Sequence, residues 1–234
     1  MYGLLCYDQK SPVNFQIFQA LTSDEVAQLT SACARMSFTD GKATAAGAAR
    51  AVKHNLQSEP GGPDPDEPRR LVLAALGRSP DFQNYAFPNR LVIPTFARYT
   101  PGMEYGWHLD SAIAGVGAPL RSDLACTIFL SEPETYDGGE LVLDLPTGQQ
   151  EIKLSAGEAV VYPATTIHRV AQVTRGVRLV AITWIQSLVR DERLRAILID
   201  LMRAHRIADE RQQNEAAMLI NKSYQNLLRL AAEL

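Results

Sequence analysis

The sequence predicts a mainly β, α+β fold: a sandwich or barrel of short strands, with helices before it and a helical hairpin after it. Three observations carry this expectation. From Arg90 to Gln186, short apolar runs recur between turn residues such as Gly138-Gly139, Pro146-Thr147-Gly148 and Ala156-Gly157. That spacing is typical of an all-β sandwich or barrel. Before Arg90, a helix start signal and helical periodicity stand out. After Leu188, two amphipathic stripes run nearly to Leu234.

Taken in order, residues 13 to 20 partly alternate apolar and polar, which predicts a short strand. Thr22-Ser23-Asp24-Glu25 is a capping box. Behind it Val26, Leu29, Cys33 and Met36 recur at helical spacing. Residues 38 to 55 show no firm period. Ser58 to Arg70, rich in proline, glycine and charge, predicts a mobile surface loop. Leu71 to Leu76 predicts a short helix, stopped by Gly77 and Pro80.

Leu91 to Tyr99 predicts a strand with Pro94 at an edge or bulge. Leu124 to Leu130 is almost wholly apolar, as in a strand buried on both faces. Glu140 to Asp144, Glu151 to Leu154 and Glu158 to Tyr162 predict three more. Residues 168 to 173 and 177 to 185 read as a hairpin around Thr174-Arg175-Gly176. In the tail, Leu194, Ile197, Leu198, Leu201 and Ala208 form one helical stripe. Ala216, Ile220, Tyr224, Leu227, Leu228 and Ala231 form another, with the joint near Asp209-Glu210-Arg211. The resulting division is a catalytic domain over 1–186 and a C-terminal helical extension over 187–234. The stripes would pack on the barrel or make a homo-oligomer through the C-terminal helices.

Composition narrows the function classes. The 234 residues are 46% hydrophobic and 21% charged, with a net charge of -3. These values suit a globular domain and imply no broad basic surface for nucleic acid. No apolar run reaches membrane-spanning length, and the N-terminus lacks the pattern of a signal peptide. Cys6, Cys33 and Cys126 are odd in number and far apart, without Cys-x-x-Cys. Reduced, mostly buried thiols in a cytoplasmic protein are expected.

The chemistry concentrates around His108-Leu109-Asp110. Two positions apart on an extended chain, an imidazole and a carboxylate share a face. They make two thirds of a 2-His-1-carboxylate set, the usual cradle for non-haem Fe(II). His168 is the histidine in a comparable strand-like setting and is the candidate third ligand. Arg178 follows on the next expected strand, with a permanent planar cation suited to a carboxylate. Tyr99 lies on the strand before His108. A 2-oxo acid and dioxygen would fill the open positions of such a metal, with Arg178 and Tyr99 holding the acid's distal carboxylate. Each residue also has an ordinary reading. His108 and Asp110 can be a hydrogen-bonded pair, Arg178 a salt-bridge residue and Tyr99 a core residue. Trp107 and Trp184 read as core or pocket wall, and His54 and His205 as surface residues.

The run Arg98-Tyr99, Gly102 and Tyr105 to Asp110 resembles the metal-binding segment of prolyl-4-hydroxylase-like Fe(II)/2-oxoglutarate dioxygenases. Arg121 to Ser131, Tyr136 to Leu141, Ala156 to Pro163, Ile167 to Val170, Thr174 to Arg178 and Trp184 to Arg190 continue in step. Jointly these motifs resemble the bacterial PKHD-type hydroxylases, over most of the chain, including Asp40 to Ala45 and the helical tail. The resemblance implies a double-stranded β-helix (jelly-roll) core, Fe(II), 2-oxoglutarate as co-substrate, and ascorbate. It assigns the metal to His108, Asp110 and His168 and the 2-oxoglutarate carboxylate to Arg178. Tyr99 matches a position that often contacts 2-oxoglutarate. Halogenating relatives lack the carboxylate that Asp110 supplies here, so the resemblance implies hydroxylation of a small-molecule or peptide substrate by dioxygen, with a link to iron uptake. Two other readings stand beside this one: a cupin-like metal hydrolase or isomerase, and a catalytically idle module that senses iron or a small acid.

Overall fold

The computed structural model describes residues 14–45, 47–59, 66–115 and 119–234. Cys6 lies outside them, while Cys33 and Cys126 are buried free thiols. In chain order the strands are β1 (Gln16–Gln19), β2 (Phe38–Asp40), β3 (Lys53–His54), β4 (Leu56–Ser58), β5 (Pro88–Leu91), β6 (Thr95–Tyr99), β7 (Glu104–His108), β8 (Ile113–Ala114), β9 (Leu120–Arg121), β10 (Leu124–Phe129), β11 (Leu141–Leu145), β12 (Gly148–Ile152), β13 (Glu158–Pro163), β14 (His168–Val170) and β15 (Arg178–Ser187). The helices are α1 (Ser23–Arg35), α2 (Gly47–Ala51), α3 (Glu67–Arg78), α4 (Pro80–Ala86), α5 (Glu192–Glu210) and α6 (Asn214–Ala231).

Two antiparallel sheets face each other. The larger runs β1-β13-β10-β15-β6-β4-β2, with β5 also on β15; the smaller runs β12-β11-β14-β7-β3. Strand β10 shows why the larger sheet reads as apolar throughout. Leu124, Cys126 and Ile128 point to a core shared with the helices, while Ala125 and Phe129 point to the core between the sheets. All six of its residues are buried. The larger sheet is thus covered on both faces, which removes the polar alternation a half-exposed strand would show.

Local signals explain the helices. Thr22 and Glu25 close the expected capping box on α1. Asp66 caps α3, and its neighbour Arg69 is buried, donating to Pro94 O at 3.0 Å and Ser58 Oγ at 3.0 Å. The expected surface loop is therefore much shorter: Ser58 is in a strand, α3 starts at Glu67, and residues 60–65 lie outside the described residues. The expected strand over 91–99 is two strands, because Val92 to Pro94 leave the ladder. Trp184 O still receives Val92 N at 2.9 Å.

The expected hairpin over 168–185 is not formed. Strand β14 pairs with β11 and β7 in the smaller sheet, whereas β15 pairs with β10 and β6 in the larger one. Thr174 to Gly176 form a crossover between sheets, tied down by the Asp137–Arg175 bridge. Turn residues mark a change of direction but not which sheet the next strand joins.

Helices α5 and α6 form the expected hairpin. Leu198 and Ile199 enter the helix-side core, with Leu194, Tyr224, Leu227, Leu228 and Ala231 packed against it. Glu233 fastens the end to the sheet through Arg121 at 2.6 Å and Leu188 O at 2.7 Å. His205 is not a free surface residue, since its Nδ1 contacts Ala217 O at 3.1 Å within the hairpin. Among the described residues, no helix is long and apolar enough to cross a membrane.

Candidate active site

Strands β7 and β14 are neighbours, and His108 lies opposite His168 across their ladder. The two rings are 4.2 Å apart, and both residues are buried. His108 Nδ1 lies 2.8 Å from Gly106 O and His168 Nδ1 lies 3.0 Å from Thr166 O. A carbonyl only accepts, so each Nδ1 carries a proton and each Nε2 is the ring atom turned toward Asp110. Burial, then the neighbouring His168, pulls the His108 pKa down to about 3, so its imidazole is neutral.

Asp110 completes the cluster from just beyond the end of β7, not from the strand itself. One carboxylate oxygen is 4.0 Å from His108 Nε2 and the other is 4.0 Å from His168 Nε2. The candidate ligand atoms of all three residues lie within 4.8 Å of one another. These separations exceed hydrogen-bond range, so the simple His–Asp pair is not what forms. Three candidate ligand groups converge. That donor set, two imidazoles and a carboxylate, suits Fe(II).

The second half of the site sits on the facing sheet. Arg178 lies directly opposite Tyr99 across β15 and β6. Arg178 is only 2% exposed, with its guanidinium 5.0 Å from the Tyr99 ring and 5.4 Å from the Phe129 ring. Among the described residues no carboxylate pairs with it, and its Nε and the Tyr136 hydroxyl lack hydrogen-bond partners. A buried cation without an anion is costly. This buried cation therefore suits a carboxylate ligand such as one end of 2-oxoglutarate. Gly139, at φ +71°, makes room: a Cβ there would come 2.9 Å from Arg178 Cδ.

Several residues at the site were not singled out from sequence. Trp184 Nε1 donates to Asp110 Oδ2 at 2.9 Å, which makes this wall residue a direct partner of the carboxylate. Trp107 is instead 41% exposed, under the Arg169 guanidinium. Tyr105 stacks on His108 at 3.5 Å with a 12° interplanar angle. Asn55 Nδ2 donates to Tyr99 Oη at 2.8 Å. Lys53, Asn55 and Gln57 are all buried. Their one signal in the sequence was a polar residue at every second position from 53 to 57, at the end of the stretch that lacked a firm period and just beyond it.

Comparison with known proteins agrees with this geometry. Residues 94–186 match the model of the 2OG-Fe(II) oxygenase superfamily. The chain is 42% identical over 219 residues to a PKHD-type hydroxylase of Hyphomonas neptunium, covering 92% of this chain and 97% of the relative. It is 43% identical to another from Thermosynechococcus vestitus, covering 94% and 99%. The chain belongs to the PKHD-type hydroxylases. As a member of the 2OG-Fe(II) oxygenase superfamily it is a dioxygenase, not a hydrolase, isomerase or idle sensor. Among solved structures, a Pseudomonas putida prolyl-4-hydroxylase matches with a TM-score of 0.57 at 22% identity, over 74% of this PKHD-type chain and 92% of that one. The likeness shows the shared fold, the jelly roll expected from sequence.

Proposed function

We propose that His108, Asp110 and His168 hold Fe(II), that Arg178 with Tyr99 holds the distal carboxylate of 2-oxoglutarate, and that the enzyme hydroxylates a small-molecule or peptide substrate. One observation carries the reading. Two cross-strand pairs, His108 with His168 and Tyr99 with Arg178, line the space between the two sheets. Tyr162 of the larger sheet meets His168 of the smaller at 5.3 Å between rings, which brings the faces together.

When bound, Fe(II) and 2-oxoglutarate supply oxygen activation: the oxo acid leaves as succinate and carbon dioxide, and one oxygen atom goes to the substrate. The protein's part is geometric and electrostatic. His108 and His168 offer Nε2 because backbone carbonyls hold Nδ1–H. Trp184 holds one Asp110 oxygen, which leaves the other for the metal. Arg178 offers a fork inside a pocket where its partner carboxylate is shielded from water. The surrounding apolar side chains keep water from the reacting centre. Residues 1–186 would form the catalytic domain and 187–234 its extension. The proposal includes ascorbate as the reductant that keeps the iron ferrous, a cytoplasmic setting and a role in iron uptake, all on the family resemblance.

The test is succinate formation from 2-oxoglutarate, with cell extract as the substrate source and mass spectrometry seeking products heavier by one oxygen. Wild-type protein should form succinate only with Fe(II) and oxygen, and Asp110→Ala should not. Metal-independent succinate formation, or full activity of Asp110→Ala, would overturn the assignment.

A further inference from the structure

We propose that the segment carrying β3 and β4 is a third wall of this site, in which Asn55 positions the Tyr99 hydroxyl for the co-substrate and Lys53 seats Tyr105 against the metal ligand His108. The inference rests on the site assignment above and adds positioning residues to it.

The backbone explains why one short segment reaches both halves. β3 pairs with β7 of the smaller sheet, and β4 pairs with β6 of the larger one. Asn55 is the link between them, where the chain passes from one sheet to the other. Lys53, Asn55 and Gln57 alternate along this segment at 5%, 2% and 3% exposure. Three buried polar residues at period two form a polar inner face.

Asn55 acts on the co-substrate half. Its Nδ2 donates to Tyr99 Oη at 2.8 Å, and an amide nitrogen cannot accept. Tyr99 oxygen is therefore the acceptor, and its own proton is free to point elsewhere. Arg178, opposite, has no acceptor to offer. The hydroxyl is left to donate to a carboxylate held by Arg178. Burial raises the Tyr99 pKa, which keeps the phenol a neutral donor. The Asn55 side chain is held close, since a Cβ on Gly41 would come 1.9 Å from its Oδ1.

Lys53 acts on the metal half. Its ammonium donates to Thr44 Oγ1 at 2.8 Å and Gln57 Oε1 at 3.3 Å. It lies 5.1 Å from the centre of the Tyr105 ring, whose plane stacks on His108. Among the described residues no carboxylate lies in direct ion-pair contact with this ammonium, while Asp110 and Asp40 act on it at longer range. Its partners are neutral oxygens and an aromatic face, which fixes Tyr105 without drawing the charge away from the site.

The two roles predict separate losses. The experiment titrates Mn(II) into apoprotein, then 2-oxoglutarate into Mn(II)-saturated protein, for wild type, Asn55→Asp and Lys53→Met. In Asn55→Asp a carboxylate replaces the donor and accepts the hydrogen bond of the Tyr99 hydroxyl, turning it away from the co-substrate. The 2-oxoglutarate Kd should rise about 10-fold or more while the Mn(II) Kd stays within about twofold. In Lys53→Met the Mn(II) Kd should rise about 10-fold, as for other residues that orient a ligand, with 2-oxoglutarate affinity kept. Tyr99→Phe should abolish the effect of adding Asn55→Asp, read on variants whose Tm matches wild type, with Asn55→Ala as the second variant where Asn55→Asp melts early. Equal losses of both affinities in both variants, or no loss in either, would overturn the proposal. Failure of wild-type protein to bind 2-oxoglutarate at all would instead overturn the site assignment.

Discussion

Replacing Arg178 with Leu tests the co-substrate half most directly. The guanidinium is 2% exposed, lies between the Tyr99 and Phe129 rings, and has no carboxylate partner among the described residues. In the proposed reading its carboxylate partner is therefore the co-substrate. Removing one partner of a buried, hydrogen-bonded ion pair costs about 3–5 kcal/mol. That is a rise of roughly 10²- to 10³-fold or more in the 2-oxoglutarate Kd. Arg178→Lys should lose less, because charge remains while the fork does not. The metal Kd should hold, since Arg178 is not a ligand in this reading. Stability gives an independent check. A buried charge without an anion is itself costly, so the ligand-free Tm of Arg178→Leu should not fall, while the rise in Tm on adding 2-oxoglutarate should vanish. The assay is anaerobic titration followed by the visible charge-transfer band that 2-oxo acids give on Fe(II). Unchanged affinity in Arg178→Leu would mean that another cation holds the acid, or that 2-oxoglutarate is not the co-substrate.

Trp184→Phe keeps the ring but removes the donor to Asp110, and should raise the metal Kd about 10-fold or more; equal Mn(II) binding by calorimetry would refute it. Deleting residues 209–234 removes the packing of Tyr224, Leu227 and Leu228 on the core and the Glu233–Arg121 pair. That should lower Tm by ~10 °C, and a truncated protein with unchanged melting, size on gel filtration and activity would show the tail to be dispensable. Burial pulls the Lys53 pKa down to about 8 from 10.5. Because the folded value is the lower one, the unfolded chain binds more protons between those values, so wild-type stability relative to Lys53→Met should rise as pH increases across that window. A pH series of Tm on both proteins reads this, and a constant difference would contradict it.

The metal half was more legible than the wall that supports it. His108, Asp110 and His168 could be proposed because rare residue types in a fixed spacing carry specific chemistry, whatever the register of the strands. Asp110 is instructive: the argument for it assumed an extended chain, yet β7 ends at His108 and Asp110 reaches the cluster from the following segment. Chemistry outweighed the local geometry. The hairpin over 168–185 was misread because a Thr-Arg-Gly turn is the same signal whether the chain returns to its own sheet or crosses to the opposite one. Lys53, Asn55 and Gln57 were passed over because short strands of two and three residues leave too few positions to establish a period. Their burial depends on β6 and β7, partners some 40 to 50 positions further along.

The period of two along β15 explains how one strand serves both halves of the site. Arg178, Val180, Ile182 and Trp184 share parity and face the smaller sheet; Leu179, Ala181 and Ile185 face the helices. Arg178 at one end lies opposite Tyr99, where the proposed co-substrate would bind, and Trp184, six residues on, meets Asp110. At about 3.4 Å per residue this separation spans roughly 20 Å of strand, far more than the carboxylate-to-cation length of a small diacid. The carboxylate of the cluster therefore lies at the Trp184 end of this span, and long side chains from both ends reach inward to close the distance. Asp110 sits beyond the last ladder pair at His108, free to turn inward toward the indole. Parity alone would keep Asp110 on the His108 face if β7 ran two residues further; ending the ladder at His108 frees the Asp110 backbone, and Trp184 takes one carboxylate oxygen.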